Sequence, residues 1–422
     1  MKDTIDTVNT EADLDETPMR FDVEAESDTS STENNDASVE TSMQNCVFDG
    51  YGDSLSKSGK SSRSGNSHQA NAINRMNVIN IAKYLAGKEG LTEDIERYRQ
   101  SSRICSGFDN IDQIQPLYPG FYSIGAISGL GKTTFILQMA DQIAESGTPV
   151  LYYALEQSAT ELVCKSIARR MYLHSLQDPS YEVYNSMQIR MGAASESQEF
   201  QEQRDAYAST ANNQCIVECS GATVDAITES IRDFMAHCAG QPPVVVIDYL
   251  QIIQQNKDTA SMDERRHIDH VIEQLKDLQM ELNLVIICIC SVNRANYLAP
   301  IGFESFKSSG NIEFTSDVVW GLQLRVVNKP IFLQNGNTVE KRAAMDEAKG
   351  VSPREIELVV LKNRFGRTST TFYFDYYPEH DTYIARGSSN ADNKAATTVS
   401  PEEYYRSLRS ALSSNARRAT RG

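Results

Sequence analysis

Ten consecutive residues, Gly125-Ala126-Ile127-Ser128-Gly129-Leu130-Gly131-Lys132-Thr133-Thr134, set the strongest limit on what this chain can fold into. They follow an apolar run, Gly120-Phe121-Tyr122-Ser123-Ile124, that reads as a short buried strand. They precede Phe135-Ile136-Leu137-Gln138-Met139-Ala140, which has helical spacing. Strand, glycine-rich turn and helix are the context of a phosphate-binding loop. In such a loop successive backbone N–H groups converge on phosphate oxygens at the positive end of the helix. A lysine adds a point charge, and the following hydroxyl is a ligand for Mg²⁺. The candidate nucleotide-binding residues are Gly125, Ala126, Ser128, Gly129, Gly131, Lys132, Thr133 and Thr134, with Thr133 also on the metal. One position departs from the general pattern: Ala126 stands five before Gly131, where a glycine is usual, and the glycine comes one earlier, at Gly125.

Two later strand tips carry acids. The run from Pro149 to Leu155 ends on Glu156-Gln157, and the tip of a strand beside a phosphate loop is where catalytic groups sit in open α/β sheets. Glu156 is expected to position the attacking water; the plainer reading is a cap on the next helix. Val244-Val245-Val246-Ile247 reads as a fully buried parallel strand that presents Asp248 to the Thr133-bound metal. The helix pattern at 262–282, the strand at 284–290 and the strands at 317–326, 355–362 and 370–377 complete an alternating series. The fold class expected is α/β, a doubly wound, mostly parallel sheet with flanking helices. Nucleotide hydrolysis is the leading reading of these motifs taken together.

Composition removes both ends of the chain from the folded part. Residues 1–50 hold 14 acids against Lys2 and Arg20, a balance of −12 out of −17, which leaves only −5 for the other 372 residues. The low pI therefore belongs to a tail and does not argue against binding nucleic acid. Residues 1–70, acidic and then serine-rich, are expected to be disordered, because they lack the apolar period needed to offset ordering entropy. Residues 71–100 read as a linker helix that packs on its own domain or docks on a neighbouring subunit. Residues 101–388 read as the ATPase domain, and 389–422 as a polar tail with a short helix starting at Ser400. No signal-peptide pattern opens the chain and no run of eighteen apolar residues occurs, so a soluble, cytoplasmic protein without membrane contact is expected. Cys288 and Cys290 alternate along a strand as reduced core thiols. Cys215 and Cys219 lack the second pair or histidine that a zinc site needs.

Several motifs together resemble the motor domain of DnaB-type replicative helicases. They are Ser106-Gly107-Phe108 with Ile111-Asp112, the loop from Ala126 to Thr133, Leu155-Glu156, Asp248-Tyr249-Leu250-Gln251, and Asn293-Arg294. Ser309-Gly310 with Ile312-Glu313 and Asp317, then Lys362 with Arg364 and Gly366, complete the series, in the family's order across about Arg103 to Arg386. The resemblance implies a RecA-like domain that assembles as a homo-hexameric ring around single-stranded DNA and translocates 5′ to 3′ on ATP hydrolysis. Lys132 and Thr133 would hold the ATP phosphates and Mg²⁺, Glu156 would act as the base, and Asp248 would bind the metal through water. Lys362 and Arg364 would reach the γ-phosphate of the neighbouring subunit, and Lys307 and Gly310, in the polar loop 295–311, would grip DNA. A primase or a loader is the partner implied.

Two departures from the family stand out. Ser291 occupies the place of a glutamine that relays the nucleotide state to DNA, and residues 1–70 stand where the family has a helical N-terminal domain. Three functions remain open on sequence: a ring helicase, for example of a phage, plasmid or other mobile element; a DnaB-like DNA-binding ATPase that regulates or loads without unwinding; and an unrelated phosphate-loop kinase for a small molecule.

Overall fold

A strand inside a parallel sheet, covered by helices on both faces, is apolar at successive rather than alternate positions. In the computed structural model the runs that satisfy this become the centre of one nine-stranded sheet. The described residues run from 81 to 386, apart from 87–89, 101–102, 238–240, 258, 308, 334–336 and 369. The expectations for residues 1–70, for the first part of the linker helix and for the 389–422 tail lie outside them.

Six strands are mutually parallel: Gly120–Ala126 (β1), Val150–Ala154 (β2), Gln214–Glu218 (β3), Val244–Asp248 (β4), Val285–Ser291 (β5) and Val318–Leu324 (β6). Arg354–Asn363 (β7), Thr371–Tyr377 (β8) and Thr382–Ala385 (β9) add an antiparallel extension, and the order across the sheet is β3-β2-β4-β5-β1-β6-β7-β8-β9. Side chains of β5 divide between the two faces. Val285, Ile287 and Ile289 join the core under helix Lys132–Glu145, while Ile286, Cys288 and Cys290 join the core under helices Val224–His237 and Glu264–Leu282. The polar stretch 159–214 folds as helices Ala159–Ser175, Ser186–Arg190 and Gln198–Thr210, with a small core of their own around Met171, Ile189 and Tyr207.

The structure differs from the sequence reading in five places. The polar loop 295–311 is shorter than expected, because helix Ser309–Thr315 begins inside it and puts Gly310 in a first helical turn. β7 runs from Arg354 to Asn363, one residue longer at each end than the 355–362 expected, and Arg364 follows just outside it. Helix Thr338–Gly350 had no sequence signal, since Met345 is its only buried side chain, and β9 is too short to show a period. Helices Ile81–Ala86 and Leu91–Gln100 share the region expected to be one linker helix, joined by a hydrogen bond from Tyr84 Oη to Asp94 at 2.6 Å.

Phe135 ties the first turn of helix Lys132–Glu145 to the extension: its ring stacks on Phe108 at 5.0 Å and meets Phe374 and Tyr383 edge-on at 5.2 and 5.1 Å. All four rings are fully buried. Phe135→Ala should therefore lower unfolding free energy by about 3–5 kcal/mol, read from urea denaturation; a loss below about 1 kcal/mol would mean that these contacts do not anchor the helix.

Candidate nucleotide-binding site

Between the end of β1 at Ala126 and the start of the helix at Lys132 the chain reverses through Gly129 and Gly131, with φ of 80° and 74°. Only glycine takes that conformation without strain. Gly131 is the helix N-cap and forms no side-chain cap, so the first N–H groups of the helix are left for a ligand, at the positive end of its dipole. Gly125 has another reason to be glycine. It lies within β1, where a Cβ would run into the ring of Phe306. Ala126, at the position where glycine is usual, borders the cleft together with Ser128, Gly129, Gly131, Lys132 and Thr133.

The cleft, of about 420 Å³, crosses the tips of β1, β5, β4 and β2. Because β5 stands between β1 and β4, the phosphate loop and Asp248 are two strand spacings apart, about 10 Å. Lys132 Nζ reaches over the loop and donates to Ala126 O at 3.0 Å. Burial holds its pKa below the usual lysine value, against the opposing pull of Asp248, Glu156 and Cys290. An arriving polyphosphate would supply the missing counter-charge.

Asp248 is 3% exposed; its Oδ2 accepts from Tyr152 Oη at 2.8 Å, while Oδ1 is buried without a hydrogen-bond partner. Burial raises the Asp248 pKa, although the Tyr152 and Thr133 hydroxyls favour its charged form. A carboxylate oxygen left unpartnered beside a threonine hydroxyl fits a hydrated Mg²⁺, which takes one or two protein oxygens and leaves the rest to phosphate and water. No group of three or more His, Cys, Asp or Glu able to hold a metal occurs among the described residues.

Leu155 N donates to Asp248 O at 2.9 Å, which ties the exit of β2 to the tip of β4 and brings the next residue, Glu156, to the cleft wall. Capping of helix Ala159–Ser175 falls to Ser158, which forms a reciprocal box with Glu161, so Glu156 is not used as the cap. Ser291 also borders the cleft, and its N–H donates to Gln251 Oε1 at 3.0 Å.

Several contributors had no sequence signal, because their partners are 195 to 253 residues away. Asp381 accepts from Lys165 Nζ and Ser186 Oγ, both at 2.6 Å, and from Thr134 Oγ1 at 3.3 Å. Thr134, although at the cleft border, thus turns its hydroxyl to a brace. Tyr383 Oη donates to Leu130 O, and an Arg354 guanidinium N–H donates to Gly129 O at 3.0 Å. The extension holds the phosphate loop from behind.

The remaining candidates lie elsewhere. Lys362 Nζ donates to Glu313 O at 2.5 Å, and Arg364 pairs with Asp317 at 2.9 Å. Asp317 also accepts from Phe121 N, so this pair sits at the opposite end of β1 from the loop, about 20 Å away at 3.3 Å per residue. Lys307 is exposed, with its N–H on Ser291 O at 3.1 Å, so it follows the cleft edge. Gly310 faces Arg265 on a neighbouring helix.

The profile of the DnaB-like helicase C-terminal domain matches residues 104–383. The replicative DNA helicase DnaB of Mycoplasma genitalium is 25% identical over 304 residues, 69% of this chain and 58% of that protein. The DnaB of Helicobacter pylori strain J99 is 23% identical over 278 residues, 59% of this chain and 52% of that protein. The chain therefore spans little more than half the length of these relatives. Among solved structures, one ATPase domain superposes with a TM-score of 0.55 at 20% identity, covering 69% of this chain and 95% of that one. A DnaB-like replicative helicase, described with its interactions with primase, superposes with 0.54 at 20% identity, covering 70% and 65%. These likenesses establish the fold as that of a RecA-like phosphate-loop ATPase. With the profile covering well over half of its length, the chain belongs to the DnaB-like helicase C-terminal domain family.

Proposed function

We propose that the protein is an ATP-driven helicase motor that forms a homo-hexameric ring and translocates along single-stranded DNA during replication. The observation that carries this reading is the position of Lys362 and Arg364. They lie about 20 Å from the phosphate loop of their own chain, so a role at a γ-phosphate requires a neighbouring copy. In that arrangement the loop N–H groups and Lys132 bind the ATP phosphates, and Glu156 orients and deprotonates the attacking water. Arg364 from the adjacent subunit neutralises the charge that develops on the transferred phosphoryl group. Thr133 and Asp248 would hold Mg²⁺, which would supply charge neutralisation on the phosphates when bound. Lys307 follows the DNA backbone by charge alone, which favours sequence-independent binding. The DnaB-like helicase described with primase supports a primase as partner.

A second reading, a DNA-binding ATPase that regulates or loads without unwinding, is favoured by one observation. Ser291 stands where the family has a relaying glutamine, and it meets Gln251 only through its backbone N–H. Strand displacement on a forked substrate separates the two.

Lys132→Ala should abolish ATP turnover, because the loop loses its only side-chain cation; turnover within about threefold of wild type would remove the phosphate-loop assignment. Arg364→Ala should bind nucleotide normally yet lose hydrolysis, by about 10³ to 10⁵ if the arginine acts in trans. Mixing the two inactive proteins should restore part of the activity, since some interfaces then pair an intact Arg364 with an intact Lys132. A mixture that co-assembles and stays inactive would refute the shared site.

A further inference from the structure

Helix Thr338–Gly350 lies beside the nucleotide cleft, and the proposed mechanism does not use it. A groove of about 510 Å³ runs between this helix and the turn that follows β5, with Ile127 of the phosphate loop at its floor. Thr338, Lys341, Arg342, Met345 and Lys349 face it, at helical positions i, i+3, i+4, i+7 and i+11, which form a single stripe. Met345 seats the helix on the body, and the rest of the stripe, where an amphipathic helix would bury apolar side chains, is cationic or polar. Arg294 and Tyr297 form the opposite wall. Among the described residues no hydrogen bond or ion pair engages the side chains of Arg294, Arg342 or Lys349. Asp346, the one acid lining the groove, is not paired with any of them. Four cations thus line the groove against one acid, an excess of positive charge that a bound anion would offset.

We propose that this groove binds the phosphodiester backbone of a single-stranded nucleic acid, as a contact separate from Lys307. The inference rests on reading the chain as a single-strand-binding motor and names a further part of its track. Arg342 and Lys349 are seven residues apart, about 10 Å along the helix axis, and so engage different phosphates of one strand. Guanidinium groups at Arg294 and Arg342 suit phosphate oxygens bidentately, and the half-buried Tyr297 ring offers a face on which a base stacks. An acidic peptide, such as residues 1–50 of this chain, would satisfy the cations but leave the ring unused. The turn that carries Arg294 and Tyr297 opens the loop that leads to Lys307, so one strand follows both without a break. Since Ile127 belongs to the phosphate loop, the strand in this groove lies against the element that holds the nucleotide.

The test uses the full chain with Mg²⁺ and a non-hydrolysable ATP analogue. Anisotropy of a labelled oligothymidine is followed across a salt series for wild type, for the double variant Arg342→Gln with Lys349→Gln, and for Lys307→Gln. Binding of a fluorescent nucleotide checks that each protein is folded. The double variant should bind the oligomer about tenfold more weakly at low salt, with a log–log salt slope shallower by about 1.4, from two lost phosphate contacts, and with unchanged nucleotide affinity. An unchanged affinity and slope, while Lys307→Gln weakens binding, would overturn the groove and leave the proposed function standing. Tighter oligomer binding by the double variant would mean that acidic residues of the chain occupy the groove, and would also overturn it. Failure of the wild type to bind the oligomer would remove both proposals.

Discussion

A loop that offers its backbone N–H groups to a ligand cannot spend them on itself, so its shape has to be held by other parts of the chain. Here the holding groups come from the antiparallel extension. Tyr383 and Arg354 take the carbonyls of Leu130 and Gly129, and Asp381 takes the Thr134 hydroxyl, so the loop's acceptors and one side chain are fixed while its donors stay free. β7, β8 and β9 thus give the parallel sheet more than width. Tyr376, stacked on Tyr383 at 4.3 Å, closes the gap under Gly131, where any Cβ would meet its ring. Preorganisation of this kind lowers the ordering cost of ligand binding.

The second organising fact is the strand order. Inserting β5 between β1 and β4 separates the loop after β1 from Asp248 by enough to admit a nucleotide tail with a cation, and it places Ser291 midway between them. The site is also dry enough to shift both charged partners toward neutrality: Lys132 down and Asp248 up, each mainly through burial. Both shifts are relieved by the same event, the arrival of an anionic phosphate with a cation.

Much of this was legible in the sequence because parallel strands buried on both faces are written as unbroken apolar runs, and each such run ended on a chemically distinctive residue: Ala126, Glu156, Asp248 or Ser291. Phosphate loop and strand tips are local signals. Gly125 shows the limit of such reading: grouped with the phosphate loop by sequence, it is explained by Phe306, 181 positions later in the chain. Asp381, Arg354 and Tyr383 act on the loop across similar separations, and nothing local distinguishes them from ordinary strand and turn residues. Helix Thr338–Gly350 escaped for the opposite reason. It buries little beyond Met345, so its apolar period is nearly absent and its stripe is otherwise cationic or polar.

Asp317 has a consequence for how freely the arginine beside it can move. Its carboxylate, 7% exposed, is held three times: by Arg364, by Lys276 at 2.6 Å and by the N–H of Phe121 at 2.8 Å. Stripping a buried carboxylate of its only cation is expensive, several kcal/mol as a rule. With Lys276 and the Phe121 amide still in place, release of the half-exposed Arg364 breaks an ion pair open to solvent on the arginine side and a hydrogen bond to Phe314 O at 3.3 Å, about 1–2 kcal/mol together. Lys276 therefore acts as a placeholder. It keeps the acid satisfied, and Arg364 can swing between its own chain and any anion within reach at little energetic cost to the fold.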